Sequence, residues 1–488
     1  MSSLKKNFVY QIFYQVLISV LPFVTSPYIS RVLGAENIGI YSYTFSIIVY
    51  FRIFCALGIK NYGNRAIAKA KDNQESLNKA FSSIFAVHAI VSILVIIIYI
   101  FYLNMFGIEY KLIAFVQILY LVSELLDINW FYFGLEKFKL TVTRNMIVKI
   151  LTIVSVFIFV NQKTDLLKYT IIMAVGSLIS TSTVWMFLRK YARFVKISVR
   201  DMVPHIKPMF VLFFAVIATS LYSYMGKIML GSLCSMEELG YYENAGKMIE
   251  FPTGFILALG TVMLPKVSNL VYKGNNKAVD HYIYTSMRFS MIAAMGISFG
   301  IAGISREFPV VFWGSEFSQS GTIMMGLAIT IIIMSWNGVI RNQYLIPKEF
   351  DKLYMIAVIA GAVVNFILNY LLIPQFGAFG AVVGTIGAYL CILIVQTAYV
   401  AKELSIYKYF VQSIPYALIG FIMFLSVRYV GGLMGYTVMT LVVEVLVGVI
   451  VFVSLSIIYA IIFKDTFVIE KIKQAKYIIL KRFKIKAK

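Results

Sequence analysis

Four ionisable residues, Arg52, Glu124, Asp127 and Lys149, stand inside long apolar stretches of this 488-residue chain. Counted inward from the nearest polar segment, all four fall at similar depth, which places them in one polar cluster. A guanidinium grips anionic oxygens bidentately, and an ammonium attracts them as a point charge. A buried carboxylate can take up and release a proton as its surroundings change. The chemistry on offer is therefore anion binding and proton exchange, with Glu124 and Asp127 as the exchanging groups. Mutual neutralisation of the four charges is the plainer alternative. Glu124 and Asp127 are three residues apart, hence on one helical face, and Gln117 lies two turns before Glu124 on the same side. Gln11, Gln15 and Ser19 repeat every four residues as a second polar stripe. Lys227 and Glu250 lie at matching depths where they could pair, and Arg428 and Glu444, which match similarly, are expected to. Asn365 and Asn369, four apart, are amides able to bond across helices. Arg31 and Arg341 stand near opposite ends of apolar runs, as anchors or as entry contacts for an anion.

Other chemistries lack their residues. No GxxxxGK[ST] phosphate loop occurs, so nothing argues for ATP hydrolysis. Cys55, Cys234 and Cys391 are too scattered for a disulfide framework or a metal site. His88, His205 and His281 are equally dispersed and are expected to be packing or loop residues. No polar segment gathers the acid, base and nucleophile of a reaction, and no cofactor or metal is implied.

The elements that hold these charges are membrane helices. Hydrophobic residues make up 60% of the chain, charged residues 14%, and mean hydropathy is +0.84, well outside the range of a soluble domain. The net charge of +22 fits cytoplasmic loops rich in Lys and Arg better than nucleic-acid binding. With about 20 residues per crossing, fourteen spans are expected, near 8–29, 39–59, 81–103, 110–133, 141–161, 167–188, 208–231, 244–265, 283–305, 319–340, 353–373, 377–401, 409–431 and 437–463. The fold class is an all-α integral membrane protein. With the N-terminus inside, 34 of the 44 basic residues lie on the cytoplasmic side, which places both termini there. The first span is too long for the core of a cleaved signal peptide. Pro22 and Pro252 are expected to bend spans 1 and 8, and Pro374 to end span 11. The last segment, KDTFVIEKIKQAKYIILKRFKIKAK, has apolar residues Ile469, Ile472, Ile479 and Phe483 near helical spacing among nine basic residues. That composition suits a helix lying on an anionic membrane surface.

A pattern recurs along the chain. Glu36, Gly39 and Tyr41 in SPYISRVLGAENIGIYSY return as Glu237, Gly240 and Tyr242 in SMEELGYYENAG, at a constant offset of 201. Each copy follows a span running from inside to outside, after span 1 and after span 7. Spans 1–6 and 7–12 are thus two parallel copies of one six-helix unit. The expected organisation is an N-terminal lobe over 1–195, a second lobe over 196–404, two added helices over 405–463, and a basic cytoplasmic tail over 464–488.

Five stretches, in order, carry a resemblance. They are NFVYQIFYQVLISVLPFVTSPYISRVLGAENIGIYSYTFSIIVYF, DINWFYFGLEKFKLTVTRN, YMGKIMLGSLCSMEELGYYENAGKM with LPKVSNL, NQYLIP, and GAVVNFILNYLLIPQFGAFGAVVGT. Together, over residues 7–400, they resemble the Wzx-type oligosaccharide repeat-unit flippases, related to the MATE exporters and the lipid II flippase. The resemblance implies a V-shaped pair of six-helix bundles around a cationic cavity, working by alternating access, often with proton or sodium antiport. It also implies a substrate, undecaprenyl-diphosphate-linked oligosaccharide, carried to the outer leaflet of a bacterial inner membrane for capsule, O-antigen or similar polymers. Implied partners are membrane lipids, a polysaccharide polymerase and a chain-length regulator, with no nucleic acid. The diphosphate contacts would be Arg52, Lys149 and Lys227, with Arg31 and Arg341 at the two mouths. The polar lining would be Gln11, Gln15, Gln117, Asn365 and Asn369. Gly226 is a departure, because many relatives carry an acid just before the equivalent of Lys227. A lipid II flippase or a MATE-type cation antiporter is the alternative.

Overall fold

The computed structural model describes residues 3–105, 109–470 and 473; side chains at 3–19, 215, 218, 219, 221, 222, 258, 259, 261 and 262 lie outside that description. In chain order the helices are α1 (Ser3–Ala56), α2 (Ile59–Ala70), α3 (Gln74–Met105), α4 (Lys111–Val116), α5 (Ile118–Leu125), α6 (Asn129–Gly134), α7 (Phe138–Phe159) and α8 (Leu166–Ser182). They continue as α9 (Val199–Leu233), α10 (Met236–Tyr272), α11 (Asn276–Ile304), α12 (Glu307–Phe312), α13 (Ser320–Ile340), α14 (Asp351–Val400), α15 (Ile406–Met434) and α16 (Val438–Ile462). Short 3-10 turns and one π-helical turn, Arg341–Leu345, join them. No strand occurs among the described residues.

Ten helical stretches of the described residues are long and apolar enough to cross a bilayer. Two of these contain a sharp break. α1 turns at Gly34 (φ 77, ψ 174) and α14 at Gly377 (φ 56, ψ −134), so each supplies two crossings. At Gly34 the positive φ needs a residue without a Cβ, and one residue does what a loop was expected to do. With α9 and α10, the crossings number the fourteen expected. Pro22 and Pro27 stand inside α1, Pro252 and Pro265 inside α10, and Pro374 three residues before the break in α14. Large apolar side chains such as Ile147, Leu151 and Ile158 on α7, or Leu446, Ile450 and Ile461 on α16, are exposed. Hydrocarbon, not water, is the solvent that such faces require.

The chain packs as two compact units, Met1–Lys247 with Val358–Ala388, and Met248–Ala357 with Tyr389–Lys488. In the first unit an aromatic core of Phe81, Trp130, Phe131 and Tyr132 receives Ile59 and Ile67 from α2. The amphipathic α2 buries Ile59, Gly63 and Ile67, one face at spacing four. Gly63 lies flat on Trp130, where a Cβ would stand 2.4 Å from the indole, and Gly134 of α6 lies as closely on Ile67. Gly58, in the left-handed conformation at φ 73, folds α2 back from α1; a Cβ there would approach Met209 O to 2.6 Å. The second unit has its own core, in which Met287, Trp336, Tyr344, Tyr409 and Tyr416 pack together.

The two copies of the repeated motif meet each other. A Cβ on Gly39 would stand 1.8 Å from Met236 O, and one on Gly240 would stand 2.0 Å from Ala35 O. Met236 and Ala35 are themselves related by the offset of 201, so the contact is reciprocal. Ser42 Oγ then donates to Glu243 Oε2 at 2.8 Å, again between residues 201 apart. This is the contact that a two-fold relation between the copies produces. Gly39→Ala and Gly240→Ala are each expected to lower stability by about 1–3 kcal/mol through overpacking. Gly246→Ala, inside α10 where nothing lies within 4 Å of the added methyl, should leave it unchanged or raise it by up to about 1 kcal/mol. Thermal unfolding of the purified protein checks all three.

Candidate functional site

Glu124 lies in the last turn of α5 and is buried, 3% exposed, with two cations on its two oxygens. Arg52 Nη2, from α1, lies 3.0 Å from Oε2, and Lys60 Nζ, from α2, lies 2.8 Å from Oε1. Lys60 also approaches Asp127 Oδ2 at 3.8 Å and is itself 55% exposed. His88 of α3, fully buried, bonds the Glu124 carbonyl oxygen through Nε2 at 2.9 Å. The guanidinium of Arg52 sits 5.7 Å from the centre of the Tyr120 ring. A small cavity of about 160 Å³ opens on Arg52, Lys60, Asn61 and Glu124.

Each part follows from local structure. The expected span 110–133 is not one continuous helix, because it breaks at Leu126, Asp127 and Ile128. Asp127 Oδ1 accepts from Asn129 N at 2.9 Å and from Asn129 Nδ2 at 2.6 Å, which starts α6. Asp127 therefore does not continue the helical face of Glu124; it turns the chain, and Lys60 spans the two acids. Lys60 arrives because Gly58 reverses the chain and the buried face of α2 fixes its angle. Reading the sequence by spans missed it, since it lies one residue past span 2; the alternation of Ile59, Gly63 and Ile67 was the available signal.

Lys149 is not in this cluster. It is half-buried on α7, with no charged group acting on it among the described residues. Its stripe, Asn145, Lys149 and Thr152, faces α8. Asn145 Oδ1 accepts from Ser180 Oγ at 2.9 Å, and Gly176 lies against Thr152 Oγ1, where a Cβ would come within 2.3 Å. Depth in the membrane matched Lys149 with Arg52, but the direction it faces did not.

A second charged group lies in the same unit. Lys227 Nζ is 2.8 Å from Glu243 Oε2, and Lys247 Nζ is 3.8 Å from Oε1. A carboxylate at Lys227 is thus Glu243, two turns before Glu250. Lys247 also donates to Asn244 Oδ1 at 3.2 Å, and Asn244 Nδ2 donates to Ser30 Oγ at 2.7 Å. Gly226, beside Lys227, faces the amide pair: a Cβ there would stand 3.3 Å from Asn369 Nδ2 and 4.0 Å from Asn365 Oδ1. Asn369 Nδ2 donates to Asn365 Oδ1 at 3.0 Å, within one helix, and both are buried.

The remaining expected residues are dispersed. Gln117 is buried, and its Nε2 donates to Thr44 Oγ1 at 3.0 Å. Gln11 and Gln15, with Ile472, Ile479 and Phe483 of the tail, lie outside the described side chains. Arg31 is exposed. Arg341, also exposed, stacks on Tyr354 at 4.7 Å. Arg428 does not salt-bridge Glu444; it donates to Ser305 Oγ at 3.0 Å and Met325 Sδ at 3.5 Å. At the start of the tail, Asp465 bonds buried Arg288 and accepts from Tyr416 OH at 2.8 Å. His205 joins Tyr62 OH at 2.6 Å to Ser83 Oγ at 2.9 Å.

A polytopic helical bundle with charged groups held inside it defines the class, a membrane transporter fold, and solved structures show the same fold. The lipid II flippase MurJ in an inward closed conformation matches at a TM-score of 0.75 and 15% identity, covering 94% of this chain and 99% of that one. An inward-facing MATE multidrug transporter matches at 0.61 and 12% identity, covering 82% and 95%. The family model for "Polysaccharide biosynthesis protein" matches residues 4–271, and the chain belongs to that family. Among curated relatives, a "Putative O-antigen transporter" of Shigella dysenteriae is 23% identical over 367 residues, 74% of this chain and 91% of that protein. A protein of the same description from Escherichia coli K12 is 23% identical over 391 residues, 78% and 92%. The "Probable low-salt glycan biosynthesis flippase Agl15" of Haloferax volcanii is 26% identical over 245 residues, about half of each chain.

Proposed function

We propose that this protein is a flippase that moves undecaprenyl-diphosphate-linked oligosaccharide repeat units from the cytoplasmic to the outer leaflet of a bacterial inner membrane. The units would feed assembly of capsule, O-antigen or a related surface polysaccharide, alongside a polymerase and chain-length regulator. The observation that carries this reading is the gathering of basic side chains on two carboxylates of the first compact unit. In the first compact unit Arg52 and Lys60 meet at Glu124, Lys227 and Lys247 meet at Glu243, and Lys149 is half-buried on α7. A charge inside a bilayer is costly and is retained for a use. A diphosphate brings two negative charges that cannot cross hydrocarbon unaided, and basic side chains of this kind suit it. An exporter of organic cations would need the opposite sign.

Transport proceeds by alternating access between lobes over 1–195 and 196–404, with 405–463 and the basic tail 464–488 as additions and both termini cytoplasmic. The contact of the two repeated motifs, Gly39 on Met236 and Gly240 on Ala35, closes the outer side. Ion coupling falls to Glu124 and Asp127 when half-exposed Lys60 withdraws, and Arg31 and Arg341 guide the diphosphate at the two mouths. The test is flipping in proteoliposomes of fluorescent undecaprenyl-diphosphate oligosaccharide, beside lipid II and an organic cation. Flipping of the oligosaccharide at a rate at least tenfold above the others supports the reading, and preference for either competitor replaces it with the corresponding alternative.

A further inference from the structure

In the second compact unit two carboxyl groups meet each other instead of cations. Glu307 opens α12 and Glu444 lies in α16, 2% and 0% exposed. Both converge on Gly431 of α15. A Cβ there would stand 2.0 Å from Glu444 Oε1 and 3.1 Å from Glu307 Cδ and Oε1, so the space the two acids occupy exists because that residue has no side chain. The Glu444 carboxyl lies within hydrogen-bonding reach of Glu307. Yet Glu307 Oε2 and both Glu444 oxygens are buried with no donor supplied to them among the described residues. Arg428 is near enough for its charge to act on Glu444, but its Nη2 donates to Ser305 Oγ and the weak acceptor Met325 Sδ.

We propose that Glu307 and Glu444 share one proton and form a proton-binding site between α12, α15 and α16. Two carboxylates in contact, away from water, cannot both be ionised. A proton on one makes it the donor that the other's oxygens lack, which removes the cost of leaving them unpaired. The pair then keeps one negative charge, balanced by Arg428. The other charged or titratable groups around it are few. Arg306, just before α12, gives its Nε to Tyr436 OH at 3.1 Å, and Glu316 lies in the turn Ser315–Phe317. α13 and the stretch 289–304 of α11 have no ionisable side chain, and α16 adds only Tyr459. A metal cation is the poorer occupant. It needs about six oxygen ligands, no group of three or more acidic, His or Cys side chains converges among the described residues, and Arg428 repels it. The site stands whatever the transported substrate is.

The experiment is infrared spectroscopy of the full-length protein in lipid bilayers at neutral pH, for wild type, Glu307→Gln and Glu444→Gln. The wild type should show the C=O band of a neutral carboxylic acid. Each single variant should lose that band completely, because the remaining carboxyl ionises beside Arg428. A band missing from the wild type, unaffected by both substitutions, or halved by each would overturn the sharing. Should either glutamine variant fail to fold, Arg428→Gln gives a second reading. Without its counter-charge the pair holds its proton more firmly, so the band should persist to pH values higher by about one unit or more. An unmoved or lower titration would reject the site.

Discussion

Lys149→Ala should slow flipping of undecaprenyl-diphosphate oligosaccharide in proteoliposomes by tenfold or more, with the protein as stable as the wild type or more so. Lys149 is half-buried in α7 and, among the described residues, has no counter-charge acting on it. A structural ion would leave a partner stranded on removal; this one leaves none, so its loss relieves a desolvation cost. What it removes is a point charge for a phosphate. One charge-assisted contact contributes about 1.5–3 kcal/mol, or ten- to a hundredfold in rate if that contact is made in the transport step. Lys149→Arg keeps the charge and should retain most of the activity. The measurement is initial flipping rate beside thermal unfolding for each variant. Equal rates for the alanine variant and wild type would leave Lys149 out of the substrate path.

The contrast between Lys149 and Lys60 shows what the sequence could and could not disclose. Apolar run lengths located the membrane crossings, because 20-odd residues of hydrocarbon depth leave a plain trace in composition. They also located Arg52 and Glu124 at a common depth, and the two do meet. Depth, however, says nothing about which way a side chain faces around its helix. Lys149 has the right depth and faces α8; Arg428 and Glu444 match in depth, yet Arg428 turns to Ser305 and Glu444 meets Glu307. Lys60 failed the other way. It lies outside any span, and only the reversal at Gly58 and the docking of Gly63 on Trp130 bring it to Glu124. Asp127 left its expected face because Asn129, two residues on, offers it a backbone turn. The repeat was more informative: its two glycines mark the backbone contact between the two copies, a role that short side chains at fixed spacing can encode.

Glu124→Ala should destabilise the first compact unit by about 3 kcal/mol, because it strips the partner from a buried charge pair. The cost falls mainly on Arg52, which is 28% exposed; Lys60, 55% exposed, can turn into water. Against a total stability of about 5–15 kcal/mol, such a loss should appear as a lower unfolding temperature and poorer yield. Neutralising both partners, as Arg52→Gln with Glu124→Gln, should recover most of it, since neither charge is then left alone. The coupling from the full double-mutant cycle should be about 1–3 kcal/mol. That rescued protein also separates the two roles open to Glu124. If the acid only neutralises Arg52, flipping by the double variant keeps the wild-type response to an imposed pH gradient. If Glu124 exchanges a proton each time Lys60 withdraws, the double variant folds and equilibrates substrate across the bilayer, but the gradient no longer drives it.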